Sequence, residues 1–561
     1  MENRICQNCK KDFVIEPDDF GFYEQMKVPP PVWCPQCRLL RRMNWYGYRM
    51  LYKRKCDFTG ENVITIYHPD LPYKVYKQEV WWSDKWDPKT YGKEYDFSRP
   101  FFEQYQELLN EVPRASLHTE YTTLINSDYC NAVSFLKNCY LCFRHITGED
   151  SAYTNSANNT KDSLDLNYSV DPELCYEIVD VRKCFQAFFS VDCENCQSIY
   201  FSRDLVNCMN CFGCTSLRNK SYCMFNKQLT KGEYEKRFAE FDFGSFQKIQ
   251  EYKKQAYEAS LQYPRRATMG RNNTNVSGDY IYNSKNVHDA YSVFDSENIR
   301  YAQLFLKGGV HNAYDFTAFG SSSEWVYEST WSGYNASNIK FSVWGYRNHD
   351  TEYTFGCHGS EYLFGCVGMN KGSYCILNKQ YTKEEYGELV PKIKKHMDEM
   401  PFTDKRGLVH KYGGQIPNDL GPWAYNETIA YEFFPITKEE ALTKGFTWRD
   451  PDPREYLDAT IDLPDNIKDV ADDILKAVLK CIDCGENYQL IPKELQFLKR
   501  FNFPIPHHCP LCRDRARIRQ LNPMEMHDRK CDKCGMDIKT SYSSDKPEIV
   551  YCESCYKQEV Y

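Results

Sequence analysis

The chain has 561 residues with a formal net charge of −8, 42% hydrophobic residues and 27 cysteines. That length implies several domains with sizeable cores, and the acidic balance argues against a chain that sheathes nucleic acid along its whole length. Met1 to Lys11 is polar and no apolar run is long enough to span a bilayer, so the expectation is a protein without a signal peptide or membrane partner, placed by its cysteine load in a reducing cytoplasm.

In chain order, residues 1–82 open with Cys6, Cys9, Cys34 and Cys37. Two Cys-x2-Cys pairs at this separation are the pattern of a four-thiolate zinc ribbon, in which each tight knuckle supplies half a tetrahedron. A module with so little apolar core takes most of its folding free energy from the metal. Behind the ribbon runs a stretch with Arg38, Arg41, Arg42, Arg49, Lys53, Arg54 and Lys55, no acidic residue, and Trp45, Tyr46, Tyr48 and Tyr52 interleaved. Cations that track phosphates and rings that stack on bases make this a candidate RNA-binding strip; a solvated linker whose rings pack on the ribbon is the plainer alternative. Cys56 then begins a second module.

Residues 83–124 read as a linker and a helix over 101–112, with apolar residues at Phe101, Phe102, Tyr105, Leu108 and Leu109. The body, 125–263 and 264–400, is a duplication. Phe212-Gly213-Cys214, Tyr222-Cys223, Asn226-Lys227 and Thr230-x2-Glu233-Tyr234 recur as Phe364-Gly365-Cys366, Tyr374-Cys375, Asn378-Lys379 and Thr382-x2-Glu385-Tyr386. The last word of each is a capping box opening a helix, expected over 231–261 and 383–400. Upstream lies a finer repeat, Asn before Cys, Val or Ile (Asn138, Asn195, Asn207, Asn210, Asn286, Asn298, Asn338), with spacings of 12, and of 9 at Cys175, Cys184 and Cys193. Short strands at near-constant spacing with small turn residues give a mainly β fold: a duplicated β-solenoid (parallel β-helix) body with capping helices, flanked by zinc-ribbon tandems. Two antiparallel β-sandwiches are the alternative.

Two features of the body could carry chemistry. Cys193, Cys196, Cys208 and Cys211 have zinc-like spacing, but the second copy holds Gly345, Asn348, Ser360 and Leu363 there; stacked core cysteines are the first reading and a fourth metal site the second. Glu149, Asp150, Asp162, Asp165 and Asp171 could serve a carbohydrate-active solenoid cleft, against the simpler reading of acidic turns.

Residues 401–480 read as an extended strap ending in a helix over 466–480, followed at 481–561 by two ribbons, Cys481, Cys484, Cys509, Cys512 and Cys531, Cys534, Cys552, Cys555. These residues repeat the N-terminus at a constant offset of 475, Cys6 to Cys481. Arg38 falls on Arg513, Arg42 on Arg517, and Cys56 on Cys531, so each end is a tandem. At the N-terminal end Thr59, Lys77 and Val80 stand where Cys534, Cys552 and Cys555 stand at the other, so that module cannot close a four-cysteine site; Tyr67, Tyr73, Tyr76, Trp81 and Trp82 are expected to pack in place of metal. The count is three closed zinc sites. Arg513, Arg515 and Arg517 extend the candidate RNA-binding set; His507 and His508, beside Cys509, are expected to shape the knuckle.

The segments Cys6–Arg42 and Cys481–Arg517, with Cys-x2-Cys-x3-aromatic and Pro-x2-Cys-Pro-x-Cys-Arg, resemble a family of probable zinc-ribbon modules, and all four ligands match in each. The whole architecture is similar to uncharacterised multi-ribbon proteins of small-genome bacteria. The resemblance implies zinc and assigns no activity. No P-loop, dinucleotide fingerprint or nucleophile elbow is visible, and a closed ribbon offers no open coordination position. The expectation is a non-enzymatic zinc protein that binds RNA or a ribonucleoprotein through the ribbon tails, or else serves as a protein scaffold through a tyrosine-rich solenoid face.

Overall fold

The computed structural model describes residues 1–561 except Leu306, Arg454 and Glu455. The chain divides into two units, each discontinuous in sequence: Met1–His118 with Met269–Asp450, and Thr119–Thr268 with Pro451–Tyr561. The N-terminal ribbons therefore share a unit with the second β body, and the C-terminal ribbons with the first.

Each body is a parallel β-solenoid. In the first, Leu164 pairs with Tyr176 and Leu166 with Ile178, then Phe185 with Gln197 and Gln197 with Met209, so one coil is 12 residues. The backbone explains the number. Every third residue is left-handed, as at Asp150, Tyr153, Ser156, Asn159, Asp162 and Asp165, and each such residue turns the chain by one corner. Four corners with three-residue sides close a coil. Asn and Asp tolerate this conformation best, which is why Asn138, Asn195, Asn207, Asn210, Asn286, Asn298 and Asn338 all sit at corners. Their carboxamides also ladder from coil to coil: Asn126 donates to Asn138 (3.0 Å) and Asn138 to Asp150 (3.3 Å).

The residue after each corner points inward. Ser151, Thr154, Ala157, Thr160, Ser163, Leu166 and Ser169 are all buried. This narrow lumen is filled mostly by small and aliphatic side chains, and a backbone bent at every third residue leaves N–H and C=O groups without ladder partners. Inward Ser and Cys satisfy them. The Cys184 thiol donates to the Cys193 carbonyl and accepts from the Cys196 N–H at 3.3 Å; Ser202 Oγ accepts from the Cys214 N–H at 3.2 Å. The spacings of 9 and 12 seen in the sequence are thus both multiples of an underlying period of three. Where a larger group enters, its neighbour yields: a Cβ on inward Gly148 would lie 2.7 Å from the His145 imidazole.

The second body follows the same rule with looser coils, its corner asparagines bonding over 11 residues (Asn275 to Asn286), 12 (Asn286 to Asn298) and 14 (Asn298 to Asn312). Both bodies end in a short hairpin. There the Asn226 carboxamide bonds to both N–H and C=O of Thr215, and Asn378 to those of Val367, all at 2.8 Å. Each amide imitates the peptide of a further strand and finishes the ladder, which accounts for the repeated Asn-Lys-Gln. The capping boxes at Thr230 and Thr382 follow.

Two helix expectations need correction. The helix over 231–261 is two helices, Lys231–Phe238 and Phe246–Ser260, broken at Asp242–Ser245. Both pack on the ring column Phe201 and Phe212, as the helix Phe101–Glu111 packs on Tyr353 and Phe364 in the other unit. The helix over 466–480 is instead two short 3-10 turns, Ile467–Asp469 and Asp472–Lys476. Asn466 is held extended as a β-bridge to Ser245, and Ile467, Val470 and Ile474 reach the core without a helix. The strap 401–450 packs within its own unit through Ile416, Trp423 and Tyr425, all buried.

Candidate metal centres and the ribbon clamps

Three groups of four cysteines have every thiol sulphur within 4.8 Å of the others: Cys6, Cys9, Cys34, Cys37; Cys481, Cys484, Cys509, Cys512; and Cys531, Cys534, Cys552, Cys555. Local structure makes each half-site. A hairpin turn presents the first pair, and the second pair lies at a helix N-terminus, with Cys34, Cys509 and Cys552 as N-caps of Pro35–Asn44, Pro510–Ile518 and Glu553–Val560. Backbone N–H groups converge on the sulphurs, as from Cys34 to Cys6 Sγ at 3.2 Å and from Cys552 to Cys531 Sγ at 3.2 Å. Burial raises the pKa of Cys531, but donors at Cys534, Cys552 and Lys533 outweigh it and bring it down to about 6, favouring the thiolate a metal needs. Sulphurs about 2.3 Å from a tetrahedral centre lie about 3.8 Å apart. The separations are 3.7 Å for Cys9–Cys34, 3.7 Å for Cys484–Cys509 and 3.8 Å for Cys534–Cys552. The donor set fits a closed tetrahedral metal.

His507 stacks on Phe246 at 3.8 Å and its Nε2 lies 3.1 Å from the Pro464 carbonyl oxygen, while His508 lies 3.4 Å from Asp483; neither belongs to the thiol group. Cys193, Cys196, Cys208 and Cys211 line the solenoid lumen, each thiol bonded to a backbone carbonyl. Burial holds the Cys193 thiol well above its ordinary pKa, and among the described residues this quartet is not one of the four-ligand groups. The fourth module keeps the ribbon backbone. Cys56 Sγ accepts from the Lys77 N–H at 3.3 Å, as Cys531 does from Cys552, and Lys77 Nζ pairs with Glu61 at 2.6 Å beside Thr59. Tyr67, Tyr73, Tyr76 and Trp81 are buried there, and Trp82 is half-buried.

Contrary to the expectation of an exposed basic strip, most of its cations and rings are internal. Arg38, Arg41 and Arg42 are buried on the helix Pro35–Asn44, which lies on the second solenoid. Arg38 Nε and Arg42 Nη1 take the two oxygens of Asp315 at 2.9 and 2.6 Å; Arg42 Nε donates to Thr317 at 3.0 Å and Arg41 to Glu328 at 2.6 Å. Trp45 is fully buried with its N–H on the Ile416 carbonyl, and the Tyr48 hydroxyl donates to Glu432 at 2.8 Å. In the other unit Arg513 Nη1 and Arg517 Nη1 each lie 2.6 Å from an oxygen of Asp165, and Arg517 Nε donates to Asn167 at 2.6 Å. Both clamps also use a ring one coil earlier: Arg38 lies over Tyr301 and Arg513 over Tyr153, at 5.1 and 4.6 Å. Arg49 and Arg515 are half-exposed and Lys53 is exposed. The physical reason is plain. A buried arginine needs a carboxylate, and its acids lie about three hundred positions away in the chain, out of sight of local charge patterning.

The five carboxylates proposed for a cleft do not converge. Asp165 is spent in the clamp, Glu149 pairs with Lys137, Asp150 with Lys493, and Asp171 accepts from Asn159; Asp162 occupies the corner one coil after Asp150. The tyrosines of the body are divided between core and surface, Tyr153, Tyr176, Tyr327 and Tyr353 being buried, Tyr222, Tyr362 and Tyr374 half-buried, and Tyr129 and Tyr334 exposed. The clamp acids Asp315, Glu328 and Glu494 were absent from the sequence reading.

No protein-family model matches the chain, and no curated protein matches it. Among solved structures, one similar chain is described as a putative acetyltransferase from Desulfovibrio desulfuricans G20; it is 11% identical, with 53% of this chain and 75% of that chain covered, at a TM-score of 0.11. No helix among the described residues is long and apolar enough to cross a membrane.

Proposed function

We propose that this is a non-catalytic scaffold in which zinc-held ribbons act as staples, each tandem clamping one solenoid so that its uncovered face is rigidly presented to a protein partner in a reducing compartment. The observation that supports it is the Arg-x3-Arg clamp. Arg38, Arg41, Arg42 and Arg517, the core of the set that would have tracked phosphates, are internal, and the four-thiol groups are closed. The uncovered face of the first solenoid carries a ladder at one-coil intervals, with Lys137 on Glu149 and Lys161 near Glu173, beside Asn159 on Asp171 and Asn207 on Asn219. Groups pinned by neighbouring coils lose little entropy on binding, which favours their use as a docking surface.

The test is purification at low salt, with nuclease treatment and a salt titration, for the natural chain and for a variant carrying Lys137→Glu and Lys161→Glu. The expected result is protein free of nucleic acid, with a nuclease-resistant protein complex lost in the variant. Bound RNA released steeply by salt would restore the nucleic-acid reading.

A further inference from the structure

One of the corners at which the two solenoids differ lies at the end of the body, beside the capping helix. In the second, three tyrosines form a stack at the end of the body: Tyr362 lies face to face with Tyr374, centroids 4.8 Å apart and planes 4° apart, and Tyr386 meets the Tyr374 ring at 5.9 Å and 73°. In the first, the equivalent edge pair is kept, Tyr222 with Tyr234 at 5.9 Å and 66°. The residue one coil before Tyr222, where Tyr362 would stand, is Asn210. Its backbone has the same left-handed form, φ 52° against 51° for Tyr362. A cavity of about 460 Å³ opens at this place, lined by the rings of Tyr200, Tyr222, Tyr234 and Phe238 together with Asn210 and the polar Ser198, Lys231 and Glu235.

We propose that this slot binds the phenol ring of a tyrosine from the protein partner, stacked on Tyr222 as Tyr362 stacks on Tyr374. The second copy displays the occupant: the same backbone and the same edge ring hold a phenol there. The remaining lining suits an uncharged ring with a polar end. Lys231 and Glu235 face each other at 3.8 Å and cancel, so the lining has no excess cation for a phosphate, while the Asn210 amide can bond a phenolic oxygen and Ser198 Oγ, which donates to Gln186 at 3.2 Å, can accept from its hydroxyl. Stacked rings of this kind contribute beyond their buried area. The inference rests on the scaffold reading for its partner and on a separate observation for its place.

The probe is N-acetyl-tyrosinamide, titrated into the full-length protein and followed by ligand-observed NMR. Binding is expected, weakened at least tenfold in Asn210→Tyr, which supplies the missing ring in cis, and likewise in Tyr222→Leu, which removes the platform should the first variant misfold. Absence of binding, binding by both variants as tight as by the natural chain, or displacement by a methyl glucoside but not by a second phenol would overturn the proposal. A nuclease-resistant partner that stays bound to a folded Asn210→Tyr protein would remove the slot and leave the scaffold reading standing.

Discussion

The two ribbon clamps are the same device with different surroundings. In each, a pair of arginines one helical turn apart grips a Tyr–Asp corner pair on adjacent coils: Arg38 and Arg42 on Tyr301 and Asp315, Arg513 and Arg517 on Tyr153 and Asp165. The next corner in the column is also acidic in both, Glu328 and Glu177, but its cation comes from different places. Arg41 on the ribbon helix serves Glu328, whereas Ala516 stands at that position in the other ribbon and Lys253, from the helix Phe246–Ser260, pairs with Glu177. Conversely, Glu494 adds a carboxylate to Arg513 at 2.7 Å, while its counterpart Asp19 turns to Arg300. The central pairing is constant and the peripheral partners are exchanged, yet each buried charge has an opposite neighbour. That is the pattern expected when an unpaired buried charge costs several kcal/mol and a paired one costs little.

The shared aspartate is the centre of each clamp. Asp165→Asn or Asp315→Asn leaves two buried arginines without their shared anion, and each should destabilise its own unit by about 3–5 kcal/mol in denaturant unfolding. A loss below 1 kcal/mol would mean that the clamp is ornamental. At the periphery the effect is smaller and asymmetric. Arg41→Ala should cost about 2–3 kcal/mol, since among the described residues Glu328 then keeps Arg38 at 3.7 Å and the Gln415 N–H. Adding Glu328→Gln should recover part of that, whereas Ala516→Arg should bring no gain in the other unit because Glu177 is already paired.

Acid should weaken both units, the one with the second solenoid more, because burial also lowers the pKa of His118 and His410 there. Burial lowers the pKa of His145 in one solenoid and of His358 in the other to about 3. A folded pKa below the unfolded value of about 6.5 means that the full stability is present above pH 6.5 and is lost progressively as pH falls toward 3. At pH 5 the loss should be at most about 2 kcal/mol per histidine. His145→Gln should flatten that slope in thermal melts of its unit, and an unchanged slope would assign the acid sensitivity to other groups.

Which parts were legible follows from the range of the constraint. The ribbons could be read because four ligands around one centre impose short spacings on the chain itself. The solenoid was legible as a class, and the capping boxes at Thr230 and Thr382 were legible as helix starts. The period of three was not, because it matches neither the strand period of two nor the helical 3.6, and spacings of 9 and 12 appear as drift until the left-handed corners explain them. The basic strip misled for a related reason. Arg38, Arg41 and Arg42 have no acid nearby in sequence, and only the fold brings Asp315 and Glu328 to them. The pairing of each ribbon tandem with the more distant solenoid had no local signal at all.

The most direct test of the account is hydrogen exchange on the full-length protein before and after metal chelation. If the metal-held ribbons clamp the solenoids, chelation should strip protection from the helices Pro35–Asn44 and Pro510–Ile518 and, with them, from the coils they grip at 301–317 and 153–167. Ribbons that lose protection while those coils keep it would contradict the clamp.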